Sequence, residues 1–227
     1  MRKNFVIFTL LFFNVITLSA QHKKFDSNLL IGGGGGVSLS IIDFYPKVIQ
    51  QYKMGYNAGV TARYIAEKNL GLQLEVNLAQ RGWTEKFDKE SEFSYSRNLM
   101  YVDIPMLTHV YFGDKTKFIF NIGPQVSFLV GESGTMSAEL QTYVGQQKQA
   151  EPDKLLGAQY DNIDNRFDYG LTAGLGMSLE TKVGTLDLEG RYYFGLGDIF
   201  KNSVENQYSR SANRVAYFKI SYLIPIF

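Results

Sequence analysis

The sequence predicts an all-β protein, an eight-stranded antiparallel up-and-down barrel that spans a membrane, and three observations predict it. Apolar and polar residues alternate strictly over several long stretches. The connections between those stretches alternate between short and long. The polar face carries charges whose burial in a water-soluble core would be costly unless every one found a partner.

A chain of 227 residues forms one folding unit with ample length for a core. Its 15 Tyr, 17 Phe and 22 Gly are too many for an ordinary soluble α/β protein and favour β-structure. A formal charge of +1 gives no electrostatic case for a nucleic-acid partner. The absence of cysteine excludes disulfides, cysteine metal sites, thiol catalysis and an N-terminal lipoprotein anchor.

Residues 1–20 read as a secretory signal peptide. Arg2 and Lys3 precede the apolar run Phe5 to Leu18, which ends in the small pair Ser19-Ala20. An N-terminal membrane anchor is the alternative, but that run rises only about 21 Å, short of a hydrocarbon core of about 30 Å. Cleavage after Ala20 leaves residues 21–227 as the barrel domain. It also turns the charge from +1 to −1, so charge says nothing about partners. No later stretch has the 18 apolar residues of a membrane-spanning helix, so a mature protein that enters a membrane does so with strands.

Each strand follows from period-two patterning. Met54, Tyr56, Ala58, Val60, Ala62 and Tyr64 form one face of a strand whose other face is Gly55, Asn57, Gly59, Thr61 and Arg63. Leu70, Leu72, Leu74, Val76 and Leu78 oppose Gly71, Gln73, Glu75, Asn77 and Ala79, a pattern that continues toward Arg81 and Trp83. Phe167 to Leu179 and Leu186 to Phe194 repeat the rule. Less regular strands are expected over Leu29–Ser40, Leu99–Phe112, Phe118–Phe128 and Arg214 to the C-terminus.

Short turns are expected at Ala66–Asn69, Gly113–Lys115 and Lys182–Gly184, and long loops at Ile41–Lys53, Thr84–Asn98, Val130–Arg166 and Gly197–Asn213. Bacterial outer-membrane barrels have short periplasmic turns and long extracellular loops, so both termini are expected on the periplasmic side. A soluble periplasmic barrel or sandwich explains the alternation equally well. It explains neither the loop asymmetry nor a polar interior.

Four segments resemble the PorT-like outer-membrane β-barrel proteins of the Bacteroidetes. They are the glycine run Gly32 to Gly36, Leu70-Gly71-Leu72-Gln73-Leu74-Glu75 through Gln80-Arg81-Gly82-Trp83, Tyr101-Val102-Asp103-Ile104-Pro105, and Asn121-Ile122-Gly123-Pro124-Gln125. The resemblance covers essentially the whole mature chain and implies a barrel in the outer membrane of a Gram-negative bacterium. The family name comes from a member linked to protein export, which implies an envelope or secretion accessory role.

The residues carry little chemistry of their own. Gly32 to Gly36 is followed by no Gly-Lys-Ser/Thr and no helix, so it reads as space-making or a bend rather than a phosphate loop. The lumenal polar cluster Arg63, Glu75, Arg81, Asp103, Glu189 and Arg191, with Asp187, reads as a salt-bridged plug. The interior of an eight-stranded barrel is just wide enough for side chains to fill. His22 and His109 assemble neither a metal site nor a triad, and His109 is expected on a strand near an interface. No catalytic residue, cofactor or metal is assigned; Asp161-Asn162-Ile163-Asp164-Asn165 lacks the Gly and Glu of a calcium loop.

Tyr101, Tyr111, Phe112, Tyr192, Tyr193, Phe194, Tyr217, Phe218 and Tyr222 read as a membrane-interface girdle, and Phe227 as an assembly signal. Val130–Arg166, with Glu151, Asp153, Asp161 and Asp164, reads as a mobile polar loop. The expected partners are outer-membrane lipid and other envelope or secretion proteins. The rival readings are a small passive channel and a surface enzyme acting on lipid or peptide.

Overall fold

The computed structural model describes residues 28–88, 90–150, 157–201 and 207–226. Residues 1–20, read above as a signal peptide, and His22, Glu151, Asp153 and Phe227 lie outside the described residues. Eight long strands form the wall: β1 (Asn28–Tyr45), β2 (Lys53–Glu67), β3 (Leu70–Glu85), β4 (Tyr95–Gly113), β5 (Thr116–Met136), β6 (Phe167–Thr181), β7 (Gly184–Asp198) and β8 (Arg210–Pro225). Each pairs antiparallel with its neighbours in sequence, and β1 pairs with β8 from Leu30 opposite Pro225 to Tyr45 opposite Arg210. The sheet is therefore a ring. Gln50–Gln51 adds a short ladder against the end of β3.

The two faces are inverted relative to a soluble barrel. Outward-facing Leu72, Val60, Leu175 and Ile220 are 56% to 68% exposed, whereas Arg63, Glu75, Arg81 and Asp103 inside are at most 3% exposed. Apolar surface in that position has to meet lipid, since water would penalise it. No helix among the described residues is long and apolar enough to cross a membrane; the crossing elements are strands.

The short turns fall where the sequence places them, at the β2–β3, β4–β5 and β6–β7 connections. Asn69 adopts φ 72° and Gly113 φ 114° there, the left-handed backbone that tight reversals need.

The long connections differ from expectation, because the strands run well past the apolar band. β1 extends to Tyr45, β4 begins at Tyr95 and β5 runs to Met136. Pairing continues there because each added residue still satisfies its backbone groups on a neighbouring strand. The segment expected as a polar loop, Val130–Arg166, instead holds the end of β5, helix α1 (Ala138–Ala150) and a single 3-10 turn over Ala158–Tyr160. AELQTYVGQQKQA is built from good helix formers, and Ser137 starts it by accepting the Leu140 N–H on its hydroxyl at 3.4 Å.

The glycines of β1 set how closely the ring closes. A Cβ at Gly36 would sit 1.7 Å from the Phe218 carbonyl oxygen, and one at Gly32 1.9 Å from that of Tyr222. The seam between first and last strands is therefore too tight for any side chain on β1 at those inward positions. Gly36→Val should destabilise the barrel by roughly 1–3 kcal/mol through forced backbone displacement. Gly145→Ala, on α1 with open space around it, should change stability little. Urea unfolding in lipid or detergent, read by the heat-dependent gel shift of folded barrels, checks both.

Candidate functional site

Among the described residues the interior concentrates buried charge, and inward-facing positions on six strands, β2, β3, β4, β6, β7 and β8, supply it. Toward the short-turn end, Arg63 on β2 binds Asp187 on β7 at 2.5 Å and donates from Nε to Gln73 on β3 at 2.6 Å. At mid-barrel Glu75 accepts both Arg191 guanidinium nitrogens at 2.7 and 2.8 Å, Lys219 Nζ at 2.7 Å, Asn77 Nδ2 at 2.9 Å and the Gln73 amide. Arg191 also reaches Glu189 at 2.7 Å, and Glu189 accepts the Asn121 amide at 2.8 Å. Further toward the long loops Arg81 is clamped between Asp103 and Asp168, the latter at 3.3 Å, with Tyr101 and Tyr193 rings 4.2 and 5.0 Å from its guanidinium carbon.

All six residues of the predicted lumenal cluster thus sit inside the wall, in two connected groups. Arg191 joins Glu75 and Glu189; Arg81 joins Asp103; Arg63 connects to the first group through Gln73. Two participants were not picked out from sequence. Lys219 shares the inward parity of Tyr217 and Ser221, a signal masked by the irregular last strand. Asp168 stands on the polar face of β6, but alternation alone does not show that it clamps Arg81.

The aromatic girdle needs correction. Phe112, Tyr192, Phe194, Phe218 and Tyr222 do face outward, but Tyr101, Tyr193 and Tyr217 are buried in the lumen. Adjacent residues on a strand face opposite ways, so Tyr192 and Tyr193 could not both meet lipid. Tyr217 instead donates its hydroxyl to Asp103 at 3.2 Å. His109 lies on a strand toward the short-turn end, as expected, but does not meet lipid. It is 2% exposed and faces inward, with Nδ1 2.7 Å from Asn121 Oδ1.

Above the charges lies an apolar cap invisible in the alternation. Ile42, Phe44, Trp83, Tyr95, Leu99 and Ile199 pack with Leu140 of α1 and Tyr208 of the last loop. Phe44 meets Trp83 edge-on at 5.5 Å and Tyr208 at 4.7 Å. Tyr160 donates to Glu85 at 2.9 Å, and burial followed by the nearby carboxylate pushes its phenol well above the usual range, so it remains a donor. Between the charge layers lies a cavity of about 20 Å³, room for about one water. A larger cavity of about 270 Å³ opens at the short-turn end beside Arg63, His109, Lys117 and Glu180.

A closed ring with lipid-exposed apolar residues outside and ion pairs within is the design of an outer-membrane barrel. The family model for the outer membrane protein beta-barrel domain matches residues 19–201. The chain belongs to that family. As an outer-membrane β-barrel it resides in the lipid bilayer of the Gram-negative outer membrane.

Several solved barrels are similar in fold. Ail of Yersinia pestis, crystallised with the heparin analogue sucrose octasulfate, is 12% identical over 88% of this chain and 97% of its own, with a TM-score of 0.42. Neisserial surface protein A is 11% identical over 86% and 96%, at 0.45. OprG from Pseudomonas aeruginosa is 10% identical over 88% and 93%, at 0.46. Likenesses this distant say nothing about what this barrel binds. No curated protein sequence matches the chain.

Removing one member of the mid-barrel network leaves its partners buried and uncompensated. Glu75→Ala should cost about 3–5 kcal/mol, because Arg191 and Lys219 both lose their shared carboxylate. Trp83→Ala should cost a similar 3–5 kcal/mol by opening a cavity in the cap. Urea titration of the folded barrel in lipid vesicles measures both, and a loss below about 1 kcal/mol would contradict the assignment.

Proposed function

We propose that this outer-membrane barrel is closed to solutes and non-enzymatic, and that it serves the envelope as a structural or protein-secretion accessory factor. The observation that carries this reading is the lumen itself: layers of paired charges stacked under an aromatic cap. A conducting pore needs a continuous wet path, and the cavity between these layers, about 20 Å³, has room for one water. Catalysis by acid and base needs a carboxylate or imidazole free to exchange protons with a substrate. Here Glu75, Asp103, Asp168, Asp187 and Glu189 each accept from a buried cation. The polar cluster is a structural plug.

The working surface is then the long-loop end, which we orient outward, with the termini and short turns in the periplasm as in other bacterial barrels. Export begins with cleavage after Ala20, and residues 21–227 form the barrel domain. The segments Leu70 to Trp83, Tyr101 to Pro105 and Asn121 to Gln125 support placing the chain among PorT-like barrels of the Bacteroidetes. The secretion role rests on that placement. A groove of about 370 Å³ on the cap, between Phe87, Phe93, Tyr143 and Tyr160, is where a partner protein is expected to engage.

Two measurements test the reading. Planar bilayers containing the purified barrel should show no reproducible conductance steps, and steps of uniform size would favour the channel instead. Purification from native outer membranes in mild detergent should recover envelope or secretion proteins in stoichiometric amounts, reduced several-fold by Phe93→Ser with Tyr143→Ser. A barrel that always emerges alone would count against the accessory role.

A further inference from the structure

The outer wall carries a second charged feature, separate from the lumen and placed where lipid rather than water is the neighbour. On β1 the outward-facing positions run from Ile31 through Val37 and Ile41 to Asp43 and Tyr45. Ile31 to Ile41 rises about 26 Å at about 3.4 Å per residue and a tilt of about 40°, which matches the apolar band of about 25 Å in such barrels. Asp43 and Tyr45 therefore stand just past the top of the band, at headgroup level.

Cations gather at that height. Arg214 of β8 lies opposite Ile41, stacks its guanidinium carbon 3.7 Å from the centroid of the Phe194 ring, and reaches up to Asp43 at 2.9 Å. Its other nitrogen donates to the Gly195 and Asn213 carbonyls at 2.7 and 2.9 Å, so the group is built into the wall. Arg210, half exposed, binds the same Asp43 oxygen at 2.9 Å. Lys47 is exposed and makes no ion pair among the described residues. The other nearby carboxylate, Asp198, accepts the Ser211 backbone N–H at 2.6 Å. Among the described residues, three cations thus face two carboxylates.

Asp43, Lys47 and Arg214 line a lateral crevice of about 770 Å³ together with Ile41, Tyr45, Tyr52 and Tyr192, and Arg210 stands beside it on Asp43. Its lower part is apolar and continuous with the lipid-facing wall. Its upper part is aromatic and cationic. Tyr45 and Tyr52, at 68% and 71% exposure, are amphipathic rings of the kind that sit at a headgroup boundary.

We propose that this crevice binds a phosphate-bearing lipid of the leaflet at the long-loop end, with Lys47 and Arg210 meeting the phosphate and Arg214 holding the site in register through Asp43. Charge complementarity selects the phosphate, and the adjoining apolar wall selects a lipid over a free anion. Cations placed at a membrane surface attract anionic headgroups in this way.

Native mass spectrometry of the full-length barrel released from detergent tests the proposal. The probes are a glucosamine disaccharide lipid carrying two phosphates, the same lipid with both phosphates removed, and inorganic phosphate. The phosphorylated lipid should be retained about tenfold better than its dephosphorylated form, and Lys47→Gln with Arg210→Gln should weaken retention about fivefold for each lost cation. Lys68→Gln with Lys115→Gln, in the short turns at the other end, should leave it unchanged. If the double variant loses the heat-dependent gel shift of a folded barrel, Lys47→Gln alone replaces it. Equal retention of the two lipids, no loss in the variant, inorganic phosphate held as tightly as the lipid, or a dimer in place of bound lipid would each overturn the proposal.

Discussion

A bilayer offers no water to unpaired backbone groups, and this constraint governs the rest of the molecule. Every N–H and C=O crossing the membrane has to find a partner on a neighbouring strand, and an open sheet would leave two edges unsatisfied. The pairing of β1 with β8 removes both edges. It brings β1 so close to β8 that a Cβ added at Gly32 or Gly36 would sit less than 2 Å from a β8 carbonyl oxygen. Ring closure thus dictates local composition.

The same closure sets the lumen. Eight strands leave an interior about as wide as two opposed side chains. Alternation sends every second residue there, so the polar faces of all the strands must be mutually compatible. Isolated charges in that space would be costly, and the chain meets the cost with shared partners: Glu75 serves both Arg191 and Lys219, and Arg81 spans Asp103 and Asp168. Such a network holds distant strands in register, since β3, β7 and β8 meet at the Glu75 carboxylate.

Outside the lumen, chemistry is graded by height. The middle of the wall is aliphatic, its upper margin carries Phe194 and Tyr192, and the cationic group around Asp43 stands just above. The long-loop end then adds a compact apolar cap rather than loose loops. Barrel, plug and cap are three consequences of one strand pattern meeting three environments: lipid outside, paired charge inside, water beyond.

Much of this was legible in the residue order. Period-two alternation identified Met54–Tyr64, Leu70–Ala79 and Leu186–Phe194 as strands, and parity along them and toward Trp83 put Arg63, Glu75, Arg81, Glu189 and Arg191 on one face. Turn positions followed from Asn69, Gly113 and Gly184. What the sequence by itself determined was therefore periodic and local: which residues are strand, and which of two faces each takes. Which charges meet was decided only by the tertiary structure. Arg81 and Asp168 are 87 positions apart, and Glu75 and Lys219 144. Ring order and register bring them together. The cap belongs to the same class. Phe44, Trp83, Leu140 and Tyr208 come from four different segments, and no periodicity links them. Their common burial comes from the long connections folding back over the mouth of a ring whose existence no single strand encodes.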